Sequence, residues 1–142
     1  MGLPVNQPEH SRLHERIRAD HATEVAEDYV EAIDDVQREK GICRAVDLAR
    51  RFGVSHVTVS RTIGRLTRDG YVETEPYGPI RLTTKGKRVA TQARNRHDIV
   101  YQFLLALGVG EQTAAIDSEG IEHHVSRETL RAMERFTRRD QG

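Results

Sequence analysis

The chain has 142 residues, of which 37% are hydrophobic and 31% charged, and its formal net charge at pH 7 is zero. This length suits one ordinary domain or two small ones, and the apolar content argues against disorder throughout. The single cysteine, Cys43, excludes an intramolecular disulfide. No apolar run approaches the ~20 residues that span a bilayer, and residues 1–20 lack the apolar core of a secretory signal. We therefore expect a cytoplasmic protein.

The charge is unevenly distributed along the chain. Residues 44–94 contain 11 Lys/Arg against 4 Asp/Glu, so the remaining residues contain 11 against 18. A basic segment with acidic flanks is typical of a protein in which one segment contacts phosphate groups and another segment has a different function.

The first predicted helix follows an unpatterned segment. Residues 1–19 show no clear apolar period, and we expect a flexible leader that is loose or only locally helical. Asp20 is the expected N-cap of a helix that ends near Gly41 and buries an apolar stripe. Its other face carries five acids: Glu24, Glu27, Asp28, Glu31 and Asp35. A solvated acidic face is the simplest interpretation, but like charges four residues apart repel, and a nearby cation would relieve that repulsion.

The basic segment has the pattern of a helix-turn-helix. A short helix over residues 46–52 is followed by a turn at Gly53, an N-cap at Ser55 and a second helix from His56 to about Asp69. Val59, Ile63 and Leu66 share the apolar face of this second helix. The arginines on its outer face could enter a major groove or simply be exposed on a plain helical hairpin.

Two short strands favour the first interpretation. The stretches "YVETEP" and "IRLT" alternate in polarity and flank the turn sequence "PYGP". A helix-turn-helix followed by such a hairpin is a winged helix, and it predicts double-stranded DNA as a partner. The expected DNA-contacting residues are Ser55, His56, Val57, Thr58, Arg61, Arg65, Arg68, Arg81, Lys85 and Lys87.

Three further helices are predicted after the wing. A long helix runs from about Thr84 to Leu107, ends at Gly108, and has an apolar second half suited to burial or to a subunit contact. The next spans about residues 112–123. Ser126 is the expected cap of the last, whose apolar stripe is Leu130, Met133 and Phe136.

The stretch "DSEGIEHHVS" concentrates carboxylates and imidazoles. Glu119, Glu122 and His123 have the i, i+3, i+4 spacing that puts them on one helical face, within reach of one ion. From the residues alone, a solvated face and a metal site are both open. His97, midway along the long helix, is by itself usually a surface or core histidine.

Several of these stretches resemble one known family, the diphtheria-toxin-repressor family of metalloregulators, in its manganese-responsive branch. The resemblance covers about residues 22–138, and it rests on "EDYVEAI", "VDLARRFGVSHVTVSRTIGRL", "LTTKGK", "RHDIVYQFLLALGV" and "EGIEHHVS". It implies that the metal ligands are Asp28, Glu31, His97, Glu119, Glu122 and His123. His124 has no ligand role in that pattern.

The resemblance also implies an architecture and a function. The fold is expected to be mainly α, with an N-terminal winged helix-turn-helix carrying a small β-hairpin wing, and a C-terminal helical dimerisation domain. The expected parts are a leader (1–19), a DNA-binding domain (20–90) and a metal-binding and dimerisation domain (91–142). A third domain found in some iron-responsive members is not expected here.

The implied protein is a homodimeric repressor that binds a palindromic operator when Mn²⁺ is bound and controls manganese-uptake genes. Four carboxylates and two imidazoles form a hard ligand set that suits Mn²⁺, and four carboxylates can balance two dications per subunit. In iron-responsive relatives, Met and Cys replace Asp28 and Glu119.

Two other classes of function stay open. A winged-helix regulator could sense Fe²⁺ or an organic ligand, with the acidic cluster merely solvated. A metal-dependent hydrolase is the remote alternative, since it needs an open coordination position and a substrate cleft, and no phosphate loop, nucleophile elbow or HExxH motif is present. We therefore expect a protein that is not an enzyme.

Overall fold

The computed structural model describes the backbone of residues 7–141 and the side chains of residues 11–18 and 21–141. Its elements in chain order are α1 (Gln7–Lys40), α2 (Ala45–Phe52), α3 (His56–Arg68), β1 (Val72–Thr74), β2 (Ile80–Leu82), α4 (Thr84–Ala106), α5 (Glu111–Ile121) and α6 (Arg127–Gln141). The prediction of a mainly helical fold with a small hairpin is confirmed. No helix among the described residues is both long and apolar enough to cross a bilayer.

The N-terminal boundary of α1 differs from the prediction. The helix begins at Gln7 and is continuous through position 20, so the predicted cap at Asp20 is wrong, and residues 7–19, expected to be loose or only locally helical, belong to this helix. Residues 11–18 are all exposed, and an exposed helix has no buried stripe to give it an apolar period. Residues 1–6 of the expected leader lie outside the described part of the chain.

Helices α2 and α3 form the predicted helix-turn-helix. Gly53 has a φ of 64°, the left-handed conformation that glycine adopts without a Cβ clash, and it ends α2. The Ser55 hydroxyl accepts a hydrogen bond of 3.2 Å from the Thr58 N–H, which confirms the predicted cap. The apolar face of α3 is buried in a core shared with α1, and Tyr29 stacks on Phe52 with ring centroids 4.5 Å apart.

The wing is the antiparallel pair β1–β2. Val72 lies opposite Leu82 and Thr74 opposite Ile80, and the inward-facing Val72, Ile80 and Leu82 are buried in the same core. A backbone bridge from Cys43 to Ile80 ties the hairpin to the segment before α2.

Helix α4 begins directly after the wing. The Thr83 hydroxyl caps it by accepting from the Gly86 N–H at 3.1 Å. A Cβ added to Gly86 would lie 2.1 Å from the Tyr71 carbonyl oxygen, so this close approach of helix and hairpin requires glycine. Further along, α4 packs against α1, α5 and α6, and the chain turns at Gly108 with a φ of 96°.

Helix α5 is shorter than predicted, because it ends at Ile121 instead of His123. The Glu122 N–H still donates to the Ser118 carbonyl, but the His124 N–H donates to Ile121, three residues back. Because of this tighter turn, His123 lies just beyond the end of α5 and is not part of the helix. The chain then enters α6, where the Ser126 hydroxyl accepts from the Thr129 N–H at 3.2 Å, as predicted for its cap.

Candidate metal centre and DNA-binding surface

The structure brings the six predicted metal ligands together from three parts of the fold. Asp28 and Glu31 are one turn apart on α1, and His97 lies midway along α4. Glu119 is in the last turn of α5, Glu122 caps its C-terminus, and His123 follows. We call these six residues the metal cluster.

His97 and Glu122 make the shortest contact within the metal cluster. His97 Nδ1 lies 3.0 Å from Glu122 Oε2, and the Glu122 side chain is only 1% exposed. Despite this distance, neither atom makes a hydrogen bond with acceptable geometry. A buried polar atom without a partner costs free energy, so the pair is suited to a further electropositive partner.

His123 joins the end of α5 to α1. Its Nε2 lies 3.1 Å from Asp28 Oδ1 and 3.5 Å from Glu122 Oε1. Its Nδ1 lies 2.8 Å from Oε2 of Glu27, a residue outside the predicted set. The hydrogen bonds to Asp28 and Glu27 raise the pKa of His123 to about 10, although burial opposes the rise.

The carboxylates of the metal cluster disfavour one another's ionisation. Burial, followed by the nearby Glu31 carboxylate, raises the pKa of Glu122 to about 8. Burial, followed by the carboxylates of Glu119 and Asp35, raises the pKa of Glu31 above its ordinary value. Crowded, partly desolvated acids of this kind gain most from a bound cation.

One side of the metal cluster opens to solvent through a pocket of about 280 Å³. Its lining residues are Asp28, Glu31, Ala32, Asp35, Arg51, Phe52 and Glu119. Four of these seven side chains are carboxylates. The pocket is therefore suited to a hydrated cation and poorly suited to an apolar organic ligand.

The metal cluster is not a ready-made cage. Within the part of the chain that the structure describes, no three His, Cys, Asp or Glu side chains are already placed to hold one ion. The imidazoles are instead paired with carboxylates, His97 with Glu122 and His123 with Asp28. The donor set still fits a hard dication, since it supplies carboxylate oxygens and two imidazoles, and the buried His97 Nδ1 and Glu122 Oε2 make no hydrogen bond.

His124 lies outside the metal cluster. It is exposed, and its Nε2 is 3.8 Å from Glu24 Oε2 on the solvent side of α1. This position agrees with the expectation that His124 has no ligand role.

The predicted DNA-contacting residues of α3 form one exposed face. The Ser55 cap, His56, Val57 and Thr58 lie at the N-terminal end of the helix, and all are exposed. Arg61, Arg65 and Arg68 continue the same face, opposite the buried Val59, Ile63 and Leu66. A helix with a basic outer face and an apolar inner face has the form required to enter a major groove.

The predicted DNA-contacting residues outside α3 differ from one another in their contacts with neighbouring groups. Lys85 Nζ donates to the Asp69 carbonyl at 2.8 Å and lies 4.3 Å from the centre of the Tyr71 ring. Arg81 is exposed on β2 directly opposite Glu73, so an acid shares its strand pair. Lys87 is exposed on the first turn of α4, and no acid within the described part of the chain forms an ion pair with it.

Sequence reasoning missed several polar residues around these two sites. Glu27 and Arg96 form a 2.7 Å ion pair beside His123. Asp35 binds both Arg94 of α4, at 2.6 Å, and Arg51 of α2, at 2.8 Å. The chain positions carry a weak signal, since Glu27 and Arg96 each precede a predicted ligand, but adjacency alone does not identify a partner.

Two family models match consecutive parts of the chain. The model described as "Iron dependent repressor, N-terminal DNA binding domain" matches residues 21–80. The model described as "Iron dependent repressor, metal binding and dimerisation domain" matches residues 83–140. Together they span the winged helix and the metal cluster.

Named relatives agree with the family models. The chain is 45% identical over 135 residues to "Transcriptional regulator MntR" of Escherichia coli O157:H7, covering 95% of this chain and 87% of that protein. It is 39% identical over 100 residues to "HTH-type transcriptional regulator MntR" of Bacillus subtilis strain 168, covering 70% of each.

A solved structure matches the fold as well. The structure described as "Manganese-dependent transcriptional repressor complex with manganese" superimposes with a TM-score of 0.71 at 30% identity. The match covers 79% of this chain and 52% of that one, so this chain spans about half the length of that structural relative. The resemblance inferred from the motifs is confirmed: the chain belongs to the iron-dependent repressor family, whose members bind DNA through one domain and bind metal and dimerise through the other.

Proposed function

We propose that this chain is a manganese-responsive repressor whose binding to DNA depends on Mn²⁺ held by Asp28, Glu31, His97, Glu119, Glu122 and His123. The observation that carries this proposal is the convergence of these side chains around the buried, unpartnered atoms of His97 and Glu122. The names of the relatives support manganese as the metal, since one related structure is a manganese-dependent repressor.

The ligand set supports manganese chemically. Oxygen and imidazole donors suit Mn²⁺ better than soft metals, and Cys43, the single thiol of the chain, is buried in the core of the winged helix. Four carboxylates carry enough charge to balance two dications. We therefore propose two ions per subunit, which Glu31, Glu119 and Glu122 would help to hold by supplying negative charge and oxygen donors.

The ligands lie on both sides of the junction between the two family domains. Asp28 and Glu31 belong to α1, which shares a buried core with α2 and α3, whereas the other four ligands belong to α4 and the end of α5. A bound cation would supply positive charge that offsets the mutual repulsion of these carboxylates. The six ligands would thereby join α1 to the C-terminal helices and fix the position of α3, the predicted DNA-recognition helix, relative to the dimer.

A two-fold dimer presents two α3 helices in a fixed relation. We propose that the operator is an imperfect palindrome whose half-sites match their spacing, and that the regulated genes include those for manganese uptake. Because metal and DNA affinities are thermodynamically linked, DNA should also tighten metal binding. We also propose a cytoplasmic location, because a repressor must reach chromosomal DNA.

The test is operator binding measured by gel shift during a Mn²⁺ titration, after chelation of all metal. We expect wild type to bind DNA only as Mn²⁺ is added, and Glu122→Ala to remain folded without this response. The matched control is Glu24→Ala, which removes a carboxylate from α1 outside the metal cluster. Binding that is independent of Mn²⁺, or a normal response of Glu122→Ala, would contradict the metal assignment.

The alternative functions receive less support. The open pocket is lined mainly by carboxylates, which disfavours an organic effector. The relatives are transcriptional regulators, so family membership removes the hydrolase alternative. Fe²⁺ as the physiological metal is tested by repeating the titration with Fe²⁺ under anaerobic conditions.

A further inference from the structure

Glu27 occupies a buried position behind His123. Its Oε2 lies 2.8 Å from His123 Nδ1 and 2.7 Å from Arg96 Nη2, so one carboxylate oxygen receives donors from two different elements. The side chains of Glu27 and His123 are 12% and 3% exposed. Burial by itself would raise the pKa of Glu27, but the hydrogen bonds from His123 and Arg96 outweigh burial and lower it.

The two nitrogens of His123 therefore have different partners. Nδ1 faces Glu27, on the side away from the metal cluster, and Nε2 faces Asp28 and Glu122 inside it. A neutral imidazole carries one N–H and one lone pair, and a strong acceptor at one nitrogen directs the lone pair to the other. A carboxylate behind a metal-binding histidine acts in this way, since it fixes the tautomer and the ring orientation.

Arg96 keeps the carboxylate of Glu27 in place. It comes from α4, adjacent to the predicted ligand His97, and Glu27 is adjacent to the predicted ligand Asp28. Each pair of neighbours thus supplies one member of the metal cluster and one residue behind it. A rotation of Glu27 away from His123 would break its 2.7 Å ion pair with Arg96.

We propose that Glu27, held by Arg96, is a positioning residue that orients His123 with its Nδ1–H donating to Glu27 and its Nε2 directed at the metal position. This proposal rests on the proposed function, since it assigns a role to residues outside the six ligands of that site. Loss of a supporting residue of this kind typically weakens metal binding about 10- to 100-fold.

The first experiment measures Mn²⁺ affinity without DNA, by electron paramagnetic resonance of free Mn²⁺, for wild type, Glu27→Ala, Glu27→Gln and Glu24→Ala. Glu24→Ala is the matched control, because it removes the same charge from α1 one turn away while leaving His123 untouched. We expect Glu27→Ala to bind Mn²⁺ about 10- to 100-fold more weakly than Glu24→Ala. Glu27→Gln should lie between Glu27→Ala and wild type, since its amide oxygen can still accept from Nδ1.

The second experiment reads the tautomer of His123 in the wild-type protein and needs no variant. Nitrogen NMR of histidine-labelled protein loaded with Cd²⁺, a diamagnetic dication of similar size to Mn²⁺, distinguishes a protonated nitrogen from a metal-bound one. We expect protonated Nδ1 and metal-bound Nε2. Metal on Nδ1 would overturn the proposal even if Glu27→Ala failed to fold.

The outcomes separate the two proposals. If wild type binds Mn²⁺ and Glu27→Ala matches Glu24→Ala, the role of Glu27 is wrong and the proposed function stands. If wild type does not bind Mn²⁺, the proposed function is wrong and the role of Glu27 fails with it. If the double variant of Glu27 and Arg96 binds Mn²⁺ no more weakly than Glu27→Ala alone, Arg96 acts through Glu27. If the losses of Mn²⁺ affinity from the two substitutions add, the role of Arg96 is wrong.

Discussion

Glu122 touches both imidazoles of the metal cluster, with Oε2 at 3.0 Å from His97 Nδ1 and Oε1 at 3.5 Å from His123 Nε2. It is also a nearly fully buried carboxyl group with a pKa of about 8. The same side chain therefore retains a proton near neutral pH in the metal-free protein and connects the two histidines. This gives metal-free stability a dependence on pH.

We predict that the metal-free protein loses stability between pH 6.5 and pH 8. The pKa of Glu122 is raised from 4.5 to about 8 and that of His123 from 6.5 to about 10. A raised pKa means that the folded state binds the proton more tightly, so each contribution is complete below the ordinary pKa and is lost as pH rises towards the raised one. Both contributions decrease within this window. Thermal unfolding in chelator across the window measures the effect.

The control for this pH dependence is Glu122→Gln, which cannot titrate at that position. Its melting temperature should decline less steeply with pH, since only the contribution of His123 remains. A wild-type melting temperature that rises from pH 6.5 to pH 8 would show that the two raised pKa values do not govern metal-free stability.

We predict that Arg61→Ala and Arg65→Ala weaken operator binding while leaving Mn²⁺ affinity without DNA unchanged. Both residues are exposed on the outer face of α3, away from the metal cluster. A lost base contact costs about 1–3 kcal/mol and relaxes discrimination at one base pair, whereas a lost phosphate contact weakens all sequences and lowers the salt slope by about one. Arg139→Ala on α6 is the control. Wild-type affinity of both α3 variants would place the recognition surface elsewhere.

We predict that Gly86→Ala destabilises the winged helix. The added Cβ would lie 2.1 Å from the Tyr71 carbonyl oxygen, which is backbone and cannot rotate away. Forced displacement in a packed region costs about 1–3 kcal/mol. Gly64→Ala in α3 is the matched control, because nothing lies within 4 Å of its added Cβ, and it should stabilise by about 0.5–1 kcal/mol. Equal melting temperatures for the two variants would contradict the close approach of α4 to the wing.

We predict that the double variant Asp28→Met, Glu119→Cys loses its response to Mn²⁺ more than its response to Fe²⁺ or Co²⁺. The exchange removes two negative charges and adds softer donors, which favour later metals. Anaerobic operator-binding titrations with each metal measure the order of responses. Glu24→Met, outside the metal cluster, should keep the wild-type order. If the double variant also keeps it, these two positions do not determine metal selectivity.

The elements that bury an apolar face were predictable from the sequence. The period of Val59, Ile63 and Leu66 identified α3, and Gly53 with Ser55 marked its start, because turn and cap chemistry are local. Residues 11–18 of α1 were not predictable in this way, since they are all exposed and bury no apolar stripe. The end of α5 was missed because the tight turn at His124 depends on how the chain enters α6 and not on local propensity.

The candidate site was predictable only in part. Spacing grouped Glu119, Glu122 and His123, and the family resemblance added Asp28, Glu31 and His97 from distant parts of the chain. Neither could identify Glu27 and Arg96, because their contact joins α1 to α4 and exists only after these helices have packed. Long-range polar pairs of this kind have no sequence period.

The continuity of α4 makes it a lever arm. Helix α4 runs without a break from Thr84, beside the wing, through the expected domain boundary at residue 90 to His97 of the metal cluster, a distance of about 20 Å at 1.5 Å per residue. A change of about 10° in the tilt of this segment, held at His97, displaces its other end by roughly 3 Å, close to the ~3.4 Å rise of one base pair. A small change in the positions of the metal cluster carboxylates would thus shift each DNA-binding domain of a dimer by about one base pair along the duplex.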